Sequence, residues 1–371
     1  MSTLNWLPTS AIWYNQAIGT MIIGSPGSGK TFMILNTCAN LLGMGQRVIA
    51  IDPKNDLAKL KNVSKDIAII DVNHIKPGAL NPFTFLGRCD STSLLTVIQI
   101  ICGELDNNDI IDITPIIKDF VTEFNRNGEY RDMQDVADYL YGNPSQAAQK
   151  IGSMLRLQED SKYGKLLFTR DVNVEPLYIP NDRSLVISIH GMNLPDYTKD
   201  PKDYNPEERF TAAILYLICK KLNEILGQNN KIPTCFVCDE AHILFANKEM
   251  STIIHNFLAL GRSLNIAVVL ASQGVGHFPD NISQFISSKW AFRSSMEEAK
   301  LFLGKFDTSK IDASKAIDMN SVIGGITSLQ TGSAFFIDYL SRAGFVKVVS
   351  NYPVELLTSN PLEKKAEEFE N

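Results

Sequence analysis

Cysteine is scarce and scattered. The six thiols among 371 residues (Cys38, Cys89, Cys102, Cys219, Cys235 and Cys238) sit in apolar stretches and form no dense framework. That sets aside a disulfide-stapled fold and points to reduced thiols in a cytosol. Cys235 and Cys238 do make a C-x-x-C, but on an apolar strand a spacing of three turns the side chains to opposite faces. With no second Cys/His pair nearby, packing is the reading rather than metal or redox work. Long apolar runs are missing too: none reaches the roughly 18–20 residues of a bilayer span. The N-terminus has no basic segment leading into an apolar one, so a soluble chain is expected. Positive charge is in deficit, with 35 Lys and Arg against 41 Asp and Glu for a net −6. Any nucleic-acid contact would rest on local patches or on the pore of an oligomer. Internal repeats and low-complexity tracts are absent as well. What remains is an ordinary globular composition, 44% hydrophobic, with room for one large α/β domain carrying an insertion, or for two domains.

The most informative segment is Gly24-Ser25-Pro26-Gly27-Ser28-Gly29-Lys30-Thr31, which fits G-x-x-x-x-G-K-[ST]. The run Gly19 to Ile23 before it reads as a buried strand, and Phe32 to Leu42 after it has apolar residues at helical spacing. Strand, glycine turn and helix thus come in the order a phosphate-binding loop needs. The glycines let backbone N–H groups crowd around a pyrophosphate, and the helix N-terminus adds partial positive charge. Lys30 can reach the β and γ phosphates, and Thr31 can offer a hydroxyl to Mg²⁺. ATP and Mg²⁺ are the expected ligands.

Arg47 to Asp52 reads as a second strand ending in a carboxylate, followed by the turn Pro53-Lys54-Asn55-Asp56, which completes a β-α-β unit. Asp66 to Val72 reads as a third strand, and Asn81-Pro82-Phe83 as a loop. From Ser91 to Phe168 the alternation stops. Leu94 to Glu104, Ile113 to Asn125, Met133 to Tyr141 and Pro144 to Leu157 each carry a spaced apolar face, joined by connections at Asn107–Asp109 and Asn125–Glu129. This predicts an all-α insertion. Ser184 to His190, Thr234 to Cys238, Ile266 to Ala271, Trp290 to Ser294 and Ala334 to Asp338 resume the strands, with helices over Phe210–Leu226 and Lys248–Leu264. The charged loop Pro195–Pro206 is mobile or a partner contact. Residues 1–18, with Trp6 and Trp13, are expected to pack on the first strand, and the tail from Glu355 to form a last, fraying helix. The expected organisation is residues 1–90 and 181–350 as two parts of a core, 91–180 as an inserted helical subdomain and 351–371 as an acidic tail.

Hydrolysis needs a carboxylate for the metal and another to activate water, and Cys235 to Glu240 supplies both after an apolar strand. Asp239 is placed to hold the Mg²⁺ shell and Glu240 to polarise a water for in-line attack, at the strand edge where parallel sheets bind ligands. Asp239-Glu240-Ala241-His242 spells the string of one helicase class without its other motifs, so His242 reads as a local hydrogen-bonding residue. Val268 to Gln273 ends another strand, putting the Gln273 amide beside the same edge to sense the γ-phosphate or orient the water. Arg262 and Arg293 are candidates for an arginine finger, which usually arrives from a neighbouring subunit; for each, a surface salt bridge serves as well.

The ordered set GSPGSGKT (24–31), IDPKNDL (51–57), NPF (81–83), FVCDEAHIL (236–244) and GRSLNIAVVLASQ (261–273), with SKWAFRSSMEEAKLFL (288–303), resembles the HerA and FtsK superfamily of pumping ATPases. Within it the chain is similar to the ATPase domain of type IV secretion or conjugation ATPases, nearer the VirB/TraE type than the coupling proteins. The resemblance covers nearly the whole chain. It implies a RecA-like core of mostly parallel strands interrupted by an all-α subdomain, working as a hexamer with sites at subunit interfaces. It also implies Lys30 and Thr31 as Walker A residues, Asp239 and Glu240 as the Walker B pair, Gln273 as sensor and Arg262 as the trans arginine. Such ATPases usually carry a large N-terminal domain, so the chain is either an excised C-terminal domain or a compact relative.

The leading expectation is therefore a cytoplasmic motor, peripheral at the membrane, that drives substrate transfer or pilus assembly. A DNA translocase or packaging ATPase is the alternative within the superfamily. A nucleotide-dependent scaffold with little turnover is the alternative outside it. A small-molecule kinase has no identifiable acceptor site.

Overall fold

Short β-branched and apolar runs bounded by turn residues become strands. They are β1 (Gly19–Ile23), β2 (Arg47–Asp52), β3 (Ile67–Asp71), β4 (Ser184–Ser188), β5 (Thr234–Cys238), β6 (Ile266–Ser272), β7 (Ile286–Phe292), β8 (Ser333–Ile337) and β9 (Ala343–Lys347). The computed structural model describes residues 19–353 and 357, apart from 88, 104, 129, 197–198, 228–231 and 306–317. The expected packing of Trp6 and Trp13 and the expected tail helix lie outside the described residues. Every residue of β1, β2, β4, β5 and β6 is buried, as in a parallel sheet covered on both faces. The strand order is β3-β4-β2-β5-β6-β1-β7-β8-β9. Pairing is parallel as far as β7, after which β8 and β9 add antiparallel.

The two faces carry separate cores. On one, α1 (Lys30–Gly43) packs through Met33, Ile34 and Leu41 onto Ile22, Val48, Ala50, Val237 and Val269. On the other, Met21, Ile49, Ile51, Phe236 and Leu270 meet a larger helical layer. Cys235 belongs to the first core and Cys238 to the second, the outcome a spacing of three imposes on a strand.

That helical layer begins with a short α2 (Pro82–Phe85), then α3 (Ser91–Cys102), α4 (Asn107–Asn127), α5 (Met133–Tyr141) and α6 (Gln146–Arg156), all between β3 and β4. Side-chain caps at Asp90, Asp106, Asp132 and Ser145 set where α3 to α6 start. Two long helices, α7 (Pro206–Gly227) and α8 (Lys248–Leu264), complete the layer, with α3 lying against α7. Beyond them come a short α9 (Asp280–Ser283), α10 (Met296–Lys305) and α11 (Met319–Thr327).

Three local expectations need correction. Asn81-Pro82-Phe83 is not a loop: the Asn81 side chain accepts the Phe83 N–H at 3.2 Å and opens α2 with Pro82 at its start. Asn107–Asp109 is not a connection but the first turn of α4, since Asp106 accepts the Asp109 N–H at 2.7 Å. The connection expected at Asn125 begins only after Asn127, with Gly128 in the left-handed region closing the helix. The helix α11 and the strand β9, only half-buried, had no counterpart in the sequence pattern.

Candidate functional site

The C-terminal ends of four neighbouring strands, β2, β5, β6 and β1, point the same way and converge. The loop after β1 is Gly24–Thr31. Gly24 (φ 152°) and Gly29 (φ 107°) lie in the region that favours glycine. A Cβ on Gly24 would sit 2.7 Å from the Phe292 Cβ, and one on Gly29 would sit 2.9 Å from the Gly332 nitrogen. Gly29 is the N-cap of α1 and offers no side-chain cap, and the first turn of α1 has no acidic residue. The helix's leading N–H groups are therefore suited to an anion. Neighbouring strands brace the loop: Ser25 N–H donates to the Arg293 carbonyl at 2.8 Å, Gly332 N–H to the Ser28 carbonyl at 3.0 Å, and the Thr331 hydroxyl to the Gly27 carbonyl at 3.2 Å. The buried Ser28 hydroxyl has no protein partner, and Pro26 and Gly27 lie at the loop's surface-facing turn.

Lys30 Nζ donates to the carbonyls of Gly24 at 2.5 Å and Ser25 at 3.1 Å, and burial holds its ammonium below the usual range. The Thr31 hydroxyl donates to Asp239 Oδ2 at 2.7 Å. Asp239 and Glu240 are 1% and 4% exposed. Burial pushes the Asp239 carboxyl up to about 6, against the opposing pull of Lys54 and Thr31. Burial would also raise Glu240, but the His242 ring and the Lys54 ammonium outweigh it and hold that carboxyl at about 2. Asp239 Oδ1 is buried without a partner. An orphaned carboxylate oxygen beside the Thr31 hydroxyl is a hard-oxygen donor set that fits Mg²⁺.

Gln273 follows β6 and is exposed. With Ser25, Pro26, Gly274, His277, Ser294 and others it lines a cavity of about 220 Å³ beside the phosphate loop. Glu298 on α10 accepts the Val275 N–H at 2.8 Å and steadies this turn. The two arginines part company. Arg293 directly follows β7, its carbonyl holding the phosphate loop and its side chain exposed. Arg262 is exposed on the last turn of α8, whose cap Asn265 accepts the Thr234 N–H at 2.9 Å where β5 starts. That is the opposite edge of the sheet, so Arg262 does not meet this chain's own phosphate loop.

Two residues at the site were not singled out from the sequence. Lys54, just beyond β2, makes an ion pair with Glu240 Oε1 and lies 3.9 Å from Asp239 Oδ2. His277 bonds through Nδ1 with the Ser272 hydroxyl at 2.5 Å, and its ring meets His242 edge-on at 5.5 Å. His242 Nδ1 in turn lies 3.4 Å from Glu240 Oε2. The segment holding Lys54 was visible as a turn after a strand, but the order that sets β2 beside β5 was not. His242 thus lies within ion-pair distance of Glu240, but its Nδ1 does not hydrogen-bond that carboxylate.

Comparisons with known proteins agree with this architecture. The sequence profile of an AAA-like domain matches residues 14–357. VirB4 of Thermoanaerobacter pseudethanolicus is similar with a TM-score of 0.68 and 14% identity, over 92% of this chain and 91% of that one. The bacterial conjugative coupling protein TrwB, as the deltaN70 form in complex with sulphate, gives a TM-score of 0.59 at 13% identity, over 95% and 91%. TrwB in complex with ADP and Mg²⁺ gives 0.58 at 12% identity, over 95% and 91%. No curated protein matches the sequence.

Proposed function

This chain belongs to the AAA-like domain family, and we propose that it is an ATP-hydrolysing motor of a type IV secretion or conjugative transfer system. One observation carries the reading: the Thr31 hydroxyl and Asp239 Oδ2 are 2.7 Å apart, with Lys30, Glu240 and Gln273 gathered at the same sheet edge. The likeness in fold to VirB4 and to a conjugative coupling protein supports the choice of machine. Residues 1–90 and 181–350 form the two parts of the ATPase core, 91–180 the inserted helical subdomain and 351–371 the tail. The motor works as a homo-oligomer, a hexamer, at the cytoplasmic face of the membrane. Among the described residues no helix is long and apolar enough to cross it.

In this reading the phosphate-loop N–H groups and Lys30 bind the β and γ phosphates, which frees Lys30 from the loop carbonyls it now touches. Thr31 and Asp239 would hold Mg²⁺, which would supply positive charge against the phosphates. Glu240 orients the attacking water, Gln273 senses the γ-phosphate, and an arginine from a neighbouring subunit neutralises developing charge. Phosphoryl transfer depends mostly on such positioning and electrostatics.

The test is ATPase rate against protein concentration, with and without single- and double-stranded DNA. Turnover is expected to rise with assembly, to vanish on Mg²⁺ chelation and in Lys30→Ala, and to be lost in Glu240→Gln while nucleotide binding survives. A constitutive monomer with a concentration-independent rate would sink the motor. Strong stimulation by DNA, with salt-sensitive binding, would select the translocase alternative.

A further inference from the structure

Lys54 has no role in the reading above, yet its place is built with care. Asp52 is fully buried, and its carboxylate accepts the N–H groups of Lys54 at 3.2 Å, Asp56 at 3.2 Å, Leu57 at 2.8 Å and Ala58 at 3.2 Å. Asn55, at φ 62°, completes the turn. In the β2–β5 register Ile51 lies opposite Cys238, so the turn carrying Lys54 hangs beside Asp239 and Glu240. The Glu240 carboxylate is consequently paired at Oε1 by the Lys54 ammonium, while His242 Nδ1 lies 3.4 Å from Oε2 without a hydrogen bond between them.

A carboxylate has about four lone-pair sites, so the ion pair at Oε1 restrains the group and leaves Oε2 as an acceptor for water. A buried charge needs such a partner, and a general base acts through geometry before acidity. Because the transition state of phosphoryl transfer is largely dissociative, orienting the water matters more than taking its proton early. A carboxylate restrained by a counter-ion can do that.

We propose that Lys54 is a positioning residue of the hydrolytic centre, clamping the Glu240 carboxylate in the orientation that presents it to the attacking water. This rests on the ATP-hydrolysing reading. It differs from a phosphate-binding role, which would make Lys54 discriminate triphosphate from diphosphate. It differs also from an ordinary surface ion pair, because Glu240 is buried although Lys54 is half-exposed.

The experiment uses the full chain as wild type, Lys54→Met, Lys54→Arg, Glu240→Gln and the Lys54→Met/Glu240→Gln double variant. It measures kcat and KM for ATP, affinity for ADP and for a non-hydrolysable ATP analogue, and thermal unfolding. Lys54→Met is expected to lower kcat by about tenfold to a hundredfold, within the range general-base catalysis supplies. KM and both affinities should stay within about threefold, and Lys54→Arg should keep more of the rate. Lys54→Met should lower Tm, and adding Glu240→Gln should restore part of the loss, because a neutral amide no longer needs the ammonium. An unchanged kcat, a loss confined to affinity for the triphosphate analogue, or a Tm loss that Glu240→Gln does not relieve would each overturn the clamp. A wild type without turnover in any assembly state would overturn the hydrolytic reading instead, and the unfolding comparison would still decide whether Lys54 and Glu240 are coupled.

Discussion

His277 links two strand ends that the chain keeps far apart. Its Nδ1 holds the Ser272 hydroxyl, one residue before Gln273, and its ring rests on His242, which faces Glu240. Burial and the His242 neighbour keep the His277 imidazole below its usual pKa, so it sits neutral at pH 7. His277→Ala is therefore expected to loosen the Gln273 turn and cut kcat several-fold, whereas His277→Asn, which can still bond Ser272, should retain most of it. Steady-state kinetics on the two variants checks this, and equal losses would refute it. The contrast with Lys30, Thr31, Asp239 and Glu240 is instructive. Those four were legible because each stands in a contiguous pattern whose chemistry is local to one strand end. Lys54 and His277 acquire meaning only from partners on other strands, and a residue's partners across a sheet depend on strand order.

Helix starts were unevenly legible: Met133 and Lys248 open helices as expected, whereas the helices expected from Ile113 and Phe210 start at Asn107 and Pro206. Where polar residues were read as a break, as at Asn107–Asp109, the misreading came from one residue: Asp106 caps the helix, so the Asn residues that follow are its first turn rather than a linker. At α5, Asp132 accepts from Gln134 and Asp135 N–H at 2.8 and 3.0 Å, while Asp135 returns to the Asp132 N–H at 2.9 Å. Asp132 is 1% exposed, and burial raises its carboxyl to about 6. A folded-state pKa above the ordinary 3.8 means that the folded chain binds the proton more tightly. The ionised group therefore detracts from stability above pH 6, and that deficit is relieved as pH falls from 6 toward 4. Asp132→Asn keeps the cap acceptor without the charge. It should raise Tm at pH 7.5, with the gain gone near pH 4, while Asp132→Ala should cost about 1 kcal/mol of cap. Thermal unfolding of the three proteins at both pH values measures it.

Taken whole, the molecule places its two candidate arginines at opposite edges of one sheet, and that separation decides what a ring of copies would do with them. Arg293 stands beside its own phosphate loop, and Arg262 is exposed at the far edge, available to a neighbour. Mixing Arg262→Ala with Glu240→Gln subunits, each inactive alone, should recover ATPase activity, because some sites then join an intact Glu240 to an intact Arg262. Mixing Arg293→Ala with Glu240→Gln should recover none, since both defects lie within one subunit's own site. Recovery in the second mixture and not the first would exchange the two roles. The parallel core was legible in the alternating strands and helices. The antiparallel β8–β9 addition was only half legible, because β9 is a half-buried edge strand with a weak apolar signature.

That addition reaches back to the start of the chain. Thr331 bonds to Gly27 across 304 residues, and Gly332 bonds to Ser28 beside it. A ribosome adding roughly 5–20 residues per second completes the brace on the order of 15–60 s after it has made the loop. Until then the glycine turn lacks one of its walls. The bracing of the glycine turn is thus among the last contacts that synthesis makes available to the fold.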